Sequence, residues 1–458
     1  MKNPYLFIAI FIMLSGCQFS NKKSDDSHNA STNTPGNTNP PLNSETINWK
    51  PVAGNATVEF DPSFSFLQFI PTLDLAELDN ASKGRELFIG EWTAAPGSRP
   101  LLDGLGPLTI ATACSSCHFV SGRTPSLEAN GEVGLGLLFR LGDELGNHDP
   151  YYGGQLQTAA TTGSSEGHVS WQFDANKKPV FTLTTNQMEL AKGISLGPRL
   201  SPQLVGIGLL DLVSEQDILA REDEFDSNND GISGRAHWRS VNGEKVLGRF
   251  GWKAMQPSLE HQSAGAFQQD MGLTTSINPN EPCTPLQTIC AEQPNGGSPE
   301  VSDASLFAIN DFLTLLAVPA RRINDQNEFD QGSRIFADIG CAQCHQPTLT
   351  TSDSKQYPLL AKQLIYPYTD LLLHDMGEDL SDNVKEGDAN PREWRTPPLW
   401  SLGLIEKVEG SRFLHDGRAA TIEEAILWHG GEGSAANNNF VKLAPAEKEK
   451  LLSFLRSI

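Results

Sequence analysis

"ATACSSCHFV" (residues 111–120) and "IGCAQCHQP" (339–347) each carry two cysteines separated by two residues, with a histidine directly after the second. With seven Cys and ten His in 458 residues, chance would supply only roughly 0.002 such strings. Zinc would need two more ligands near each pair, and no second CxxC or HxxxH lies close by. A thioredoxin-type dithiol sits in a βαβ unit and makes no use of the trailing histidine. Haem c uses every part: the thiols add across the porphyrin vinyls, and the tight turn aims the next imidazole at the iron. The expectation is two haem c groups, attached at Cys114 and Cys117 and at Cys341 and Cys344, with His118 and His345 as axial ligands.

The surroundings of the two motifs repeat. "LDNASKGRELFIG" precedes the first and "EFDQGSRIFADIG" the second, so Gly84, Leu87 and Phe88 correspond to Gly332, Ile335 and Phe336 at helical spacing. Such a helix presents an aromatic to the porphyrin. Each half closes on an apolar-periodic helix, "ASLFAINDFLTLLAVP" (304–319) and "LAPAEKEKLLSFLRSI" (443–458). The repeat predicts a mainly α fold with two cytochrome c-like haem domains, long loops and minor β hairpins, one of them in "GHVSWQFDANKKPVFTL" (167–183). The domains span 51–320, with insertions, and 325–458. They are joined by the proline and charges of "PARRINDQNE" (319–328).

The start of the chain reads as an address. "MKNPYLFIAIFIMLSGC" (1–17) has a charged start and an apolar run too short to span a membrane. Its Leu-Ser-Gly-Cys ending predicts a lipoprotein signal peptide with lipidation at Cys17, and Gln18 after it points to the outer membrane. Residues 18–50 are polar, without apolar content for a core, and predict a disordered tether. The body is then expected on the periplasmic side of the envelope, held to the membrane by lipid alone. A formal charge of −22 argues against nucleic acid as a partner and suits a basic electron carrier.

The chain resembles the bacterial di-haem cytochrome c peroxidase superfamily, and within it the branch of di-haem oxidoreductases. Both haem motifs carry the likeness, as do "DGISGRAHW", "GRFGWKAMQPSLEHQSAGAFQQDMGLT", "LLLHDMGEDLSD", "EWRTPPLWSLG" and "FLHDGRAATIEEAILWHGGE". They extend from about residue 78 to the C-terminus, between long variable segments.

The resemblance implies roles. In the peroxidases a methionine fourteen residues after the histidine of an "HDG" motif ligates the C-terminal iron. Here that histidine is His415, and the position holds His429. The C-terminal iron is expected between His345 and His429, with His374, His415 and Met376 as alternatives. Imidazole in place of a thioether lowers the potential of this haem. Trp252 matches an inter-haem tryptophan on the electron path, Gln262 a peroxide-holding glutamine, and Asp270 a general acid/base standing one methylene short of the peroxidases' glutamate. The removable distal histidine of some peroxidases corresponds to Lys192, so the N-terminal iron is expected to be open unless Met188, His168 or Met271 fills it.

Two further features stand apart. "DSNNDGISG" (226–234) opens like a calcium loop through Asp226, Asn228 and Asp230, yet its twelfth position is His237 and an Asx-rich turn reads equally well. Cys283 and Cys290 lie in a Pro/Gly-rich insertion and predict a disulfide closing a small loop. The expected function is peroxidase-type oxidoreductase chemistry. Electrons come from a cytochrome c or cupredoxin at the C-terminal haem, and peroxide or a related substrate is reduced at the N-terminal one. The alternative is a non-catalytic electron-transfer module.

Overall fold

Two helix pairs frame the molecule, and both are set by a glycine. A computed structural model describes residues 51–63 and 66–458. The expected signal peptide, the lipidated Cys17 and the tether up to residue 50 lie outside the described residues. In the first half, helix Leu75–Ile89 packs on Asp303–Thr314; in the second, Gln326–Asp338 packs on Pro445–Ser457. A Cβ on Gly84 would stand 1.8 Å from the Ala308 carbonyl oxygen, and one on Gly332 2.3 Å from that of Lys450. The repeated glycine is therefore the crossing point of each pair, where only a missing side chain allows such close approach.

The repeated phenylalanines sit one turn further on. Phe88 packs on Phe312 with centroids 5.1 Å apart and Phe336 on Phe454 at 5.4 Å. Phe88 also lies 6.4 Å from the His118 ring. The first helix of each pair begins on an acidic N-cap: Asp74 accepts from Ala76 and Glu77 N–H, and Asp325 accepts from Glu328 N–H.

Between the pairs the chain departs from the mainly α expectation. Helix takes only 29% and strand 18%, so the architecture is mixed, with seven two-stranded sheets among the described residues. Two haem domains of helical type do not describe it. The physical reason lies in the long segments after each CxxCH. They are rich in Gly, Pro and Asx turns, and their apolar residues alternate, which favours paired strands over helix. Gly167–Phe173 pairs antiparallel with Pro179–Thr185, the hairpin expected there, and Leu137–Gly142 with Ser195–Leu200. Leu373–Asp375 pairs with Glu393–Arg395, setting His374 opposite Trp394. The helix expected over 304–319 also stops early, at Thr314, because Val318–Pro319 pairs with Thr57–Val58.

Candidate functional site

Both CxxCH stretches fold into the same turn. Cys114–Cys117 is a single helical turn and Cys341–Gln343 a 3-10 turn. In each, the histidine's backbone N–H donates to the first cysteine's carbonyl at 3.0 Å (His118 to Cys114, His345 to Cys341). The Nδ1 atoms of both histidines meet backbone carbonyls, Pro202 at 2.9 Å for His118 and Tyr368 at 3.0 Å for His345. His429 does the same with Ala425 at 2.8 Å. A carbonyl can only accept, so each Nδ1 carries the proton and each Nε2 presents a lone pair, the tautomer a metal-ligating imidazole needs. The surrounding protein, chiefly through desolvation, pushes His118 and His345 down to about 4 and lowers His429 too, keeping all three neutral. The same desolvation pushes Cys114 and Cys341 up to about 12 and raises Cys117 and Cys344. These sulfurs are not activated thiolates of the dithiol-exchange kind.

The rings of His345 and His429 face each other with centroids 6.4 Å apart. Two metal–imidazole bonds of about 2 Å, plus two half-rings, span roughly 6 Å, so a bis-imidazole iron fits this gap. The alternative histidines are engaged elsewhere. His374 bonds carboxylates through both nitrogens, Asp370 at 2.9 Å and Glu432 at 2.7 Å. His415 is stacked on Trp394 at 3.7 Å. Met376 lies against the Gly430–Gly433 turn.

His118 opens instead onto a cavity of about 770 Å³, lined also by Cys114, Cys117, Trp252, Gln262 and Asp270, a volume suited to a cofactor. Gln262 and Asp270 project from helix Leu259–Met271. The Asp270 carbonyl accepts from Ile110 and Ala111 N–H, fixing the acid beside the segment that enters the first CxxCH. Gln155 Nε2 donates to Asp270 Oδ1 at 2.8 Å. Burial, the largest influence, raises the Asp270 pKa above the usual carboxylate range, against Arg140 and the Gln155 hydrogen bond. Met271 also lines this cavity, whereas Met188, His168 and Lys192 do not.

A family profile described as "Di-haem oxidoreductase, putative peroxidase" matches residues 167–458. The chain belongs to the di-haem oxidoreductase family. Haem is therefore its cofactor, and the paired imidazoles and the cavity are the places whose geometry accepts one. No curated protein matches the chain. Among solved structures it is similar to Kuenenia stuttgartiensis hydrazine synthase pressurised with 20 bar xenon, at 14% identity over 95% of this chain and 100% of that one, with a TM-score of 0.37.

In this di-haem oxidoreductase Trp252 sits at the cavity wall with its Nε1 on the Leu200 carbonyl at 2.7 Å. Behind it stand Trp394 and His415, with centroids 6.5 and 6.4 Å away. The Arg395 N–H donates to the Trp252 carbonyl at 2.8 Å. Across the short sheet from Trp394, His374 reaches to 3.5 Å from Cys344 Sγ. A short run of side chains and hydrogen bonds thus joins the cavity to the second CxxCH.

The remaining expected sites fall outside this run. In the 226–234 loop Asp226 and Asn228 accept from Asp230 N–H, and Asp230 Oδ1 accepts from Ile232 N–H. The side-chain oxygens thus serve the loop's own backbone, the Asx-turn arrangement. Asp230 Oδ2 also takes Gln343 Nε2 at 3.1 Å, tying the loop to the second CxxCH turn. Among the described residues no group of three or more His, Cys, Asp or Glu is gathered for a metal ion. Cys283 and Cys290 are joined as a disulfide.

Three residues that matter here carried no signal in the sequence, and a fourth, Trp394 in "EWRTPPLWSLG", carried no role of its own. Arg140 and Gln155 flank Asp270, Trp394 stacks on His415, and Glu166 lies buried behind Gln157. Arg140, Gln155 and Glu166 precede the matched region in a segment without a motif, and only folding brings Arg140 to the cavity wall, Gln155 to Asp270 and Glu166 behind them.

Proposed function

We propose that this di-haem oxidoreductase is a periplasmic peroxidase, reducing peroxide or a related small oxidant with electrons from a basic cytochrome c or cupredoxin. The observation that carries the reading is the asymmetry of its two histidine sites. His345 is faced by a second imidazole at bonding distance for a shared iron, whereas His118 faces a cavity holding an acid and an amide.

When bound, haem c at Cys114/Cys117 and Cys341/Cys344 supplies one-electron iron chemistry at both places. His345 and His429 would together hold the haem at one of them, which suits electron entry and leaves no position for substrate. His118 would hold the haem at the other, where the cavity leaves room for a substrate. There Gln262 positions the peroxide. Asp270 moves a proton from the near to the far oxygen as the O–O bond breaks, so that peroxide, two electrons and two protons give two waters. The raised pKa of Asp270 fits this work, because its carboxyl retains a proton to higher pH than an exposed aspartate. Trp252, backed by Trp394 and His415, shortens the route between the two sites. Lipidation at Cys17 holds the protein at the outer membrane, where reduced carriers reach it.

Met271 favours a second reading. It is buried and lines the same cavity, and if its thioether helped to hold the haem, the site would be an electron-transfer centre without a substrate position. One experiment separates the readings. Electron paramagnetic resonance of purified ferric protein is expected to show a high-spin signal that peroxide abolishes. Asp270→Asn should slow peroxide turnover at least ~100-fold while leaving the low-spin signal intact. Two low-spin haems indifferent to peroxide would establish the carrier reading.

A further inference from the structure

Behind the wall that carries Asp270 lies a second, small cavity of about 20 Å³, lined among others by Gln155, Gln157, Glu166 and Gln287. It shares Gly154, Gln269 and Pro282 with the large cavity, so the two are neighbours through a thin wall. Its volume suits a single water, which needs roughly 10–15 Å³ on the same measure and two to four polar partners. Gln155 and Gln157 are buried, and the side-chain oxygens of both have no hydrogen-bond partner. Their amide nitrogens are committed: Gln155 Nε2 to the Gln269 carbonyl and Asp270 Oδ1, and Gln157 Nε2 to the Gln269 carbonyl. Two free acceptors beside one carboxyl make a cradle for a donor.

That carboxyl is Glu166, 3% exposed. Gln157 N–H donates to its Oε2 at 2.6 Å and Gln287 Nε2 to its Oε1 at 2.5 Å. Burial, the leading cause, pushes its pKa up to about 7 against these two hydrogen bonds, and Asp149 pushes the same way. The other ionisable group facing it is Tyr152, whose hydroxyl donates to the Met188 carbonyl. Asp149 is tied to the Tyr151, Tyr152 and Ala191 N–H groups. Glu166 stands just past the exposed loop 161–164, with half-buried Ser165 between them, so solvent lies two positions away along the chain. No step described so far uses it, and it stands outside the matched residues 167–458.

We propose that Glu166 is the proton reservoir of the large cavity, replenishing Asp270 through a water held between Gln155 and Gln157. The inference rests on the peroxidase reading. The Glu166 O–H bond breaks, its proton passes to the water, and the water gives one up toward the large cavity. There the Asp270 carboxylate takes it on Oδ2, since Oδ1 is held by Gln155. Solvent at the 161–164 loop then reprotonates Glu166. Each cycle moves one proton inward from solvent, restores Glu166 and leaves the Asp270 carboxylate as a neutral carboxyl.

The test compares wild type, Glu166→Gln and Gln157→Leu as holoproteins in peroxide turnover across pH. In wild type the rate should fall as pH rises through about 7. Both variants should lose about tenfold at pH near 6, and Glu166→Gln should show no inflection near 7. A Glu166→Gln protein with the wild-type rate and profile would overturn the inference, and if that variant fails to load haem, Gln157→Leu decides by the same rate criterion. Wild type that ignores peroxide would mean that the peroxidase reading has failed. Infrared titration then judges the reservoir separately. A protonated-carboxyl band absent from Glu166→Gln, titrating near neutrality and displaced in Gln157→Leu, supports it; lack of that band overturns it.

Discussion

The imidazoles of His345 and His429 face each other at 6.4 Å, with their planes inclined by 52° and each Nδ1 anchored on a backbone carbonyl. Residues eighty-four positions apart are thereby preset as a pair. His429 hangs from the end of helix Ile422–Leu427, where its ring is held by the Ala425 carbonyl one turn back.

Replacing one member of that pair should move a potential and leave the other site alone. His429→Met is expected to raise the midpoint potential of the C-terminal haem by on the order of 100 mV, because a thioether favours ferrous iron. Spectroelectrochemistry reads the shift, and an unchanged potential would remove His429 from the iron.

The helix crossing at Gly332 offers a test that involves no cofactor chemistry. A Cβ there would meet the Lys450 carbonyl oxygen at 2.3 Å and the Phe454 Cβ at 2.5 Å. Gly332→Ala should therefore destabilise the fold by about 1–3 kcal/mol through forced separation of the two helices, seen as a lower denaturant midpoint. Its effect should exceed that of Gly231→Ala, which meets nothing within 4 Å although it adds strain at φ +84°.

His374 should act as a buried cation. Burial opposes its charge, but Asp370 leads the groups that overcome it and hold its pKa well above the ordinary value. Because the folded pKa is raised, its stabilising contribution is complete below about pH 6.5 and is lost as pH rises through the folded value. Melting temperature should fall on the alkaline side in wild type. His374→Leu, which strands Asp370 and Glu432 without their partner, should be destabilised by about 3–5 kcal/mol at neutral pH. Thermal melts from about pH 6 to about pH 10 check both.

Glu166 gives the same sign by a different cause. Its pKa is raised from 4.5 to about 7 by burial, so its stabilising contribution is full below about 4.5 and lost as pH climbs through about 7. Glu166→Gln should match wild type near pH 5 and exceed it near pH 8 by up to about 3 kcal/mol. Equal melting temperatures at both pH values would show that Glu166 ionises without hindrance.

Much of the site was legible in local strings because its chemistry is local. The CxxCH spacing dictates a turn in which the histidine N–H reaches the first cysteine's carbonyl, and both turns do so. Gly-x-x-(Leu/Ile)-Phe marked the two helices correctly, although the glycine serves a helix crossing as much as the phenylalanine serves a porphyrin. The mainly α expectation failed for a complementary reason. Helical periodicity is conspicuous in four segments, whereas two-stranded pairings between distant stretches, such as Leu137–Gly142 with Ser195–Leu200, leave only faint alternation in either strand.

The sequence by itself determined the two cysteine–histidine turns, the four framing helices and the disulfide loop, since each depends on residues a few positions apart. Only the tertiary structure decided that His429 rather than His374 faces His345, because Glu432, 58 residues further on, joins the nearby Asp370 in capturing His374. It likewise decided that Gln155 and Arg140 stand beside Asp270. Contacts made across tens of residues or more are chosen by the packing of the whole core, and no short stretch contains them.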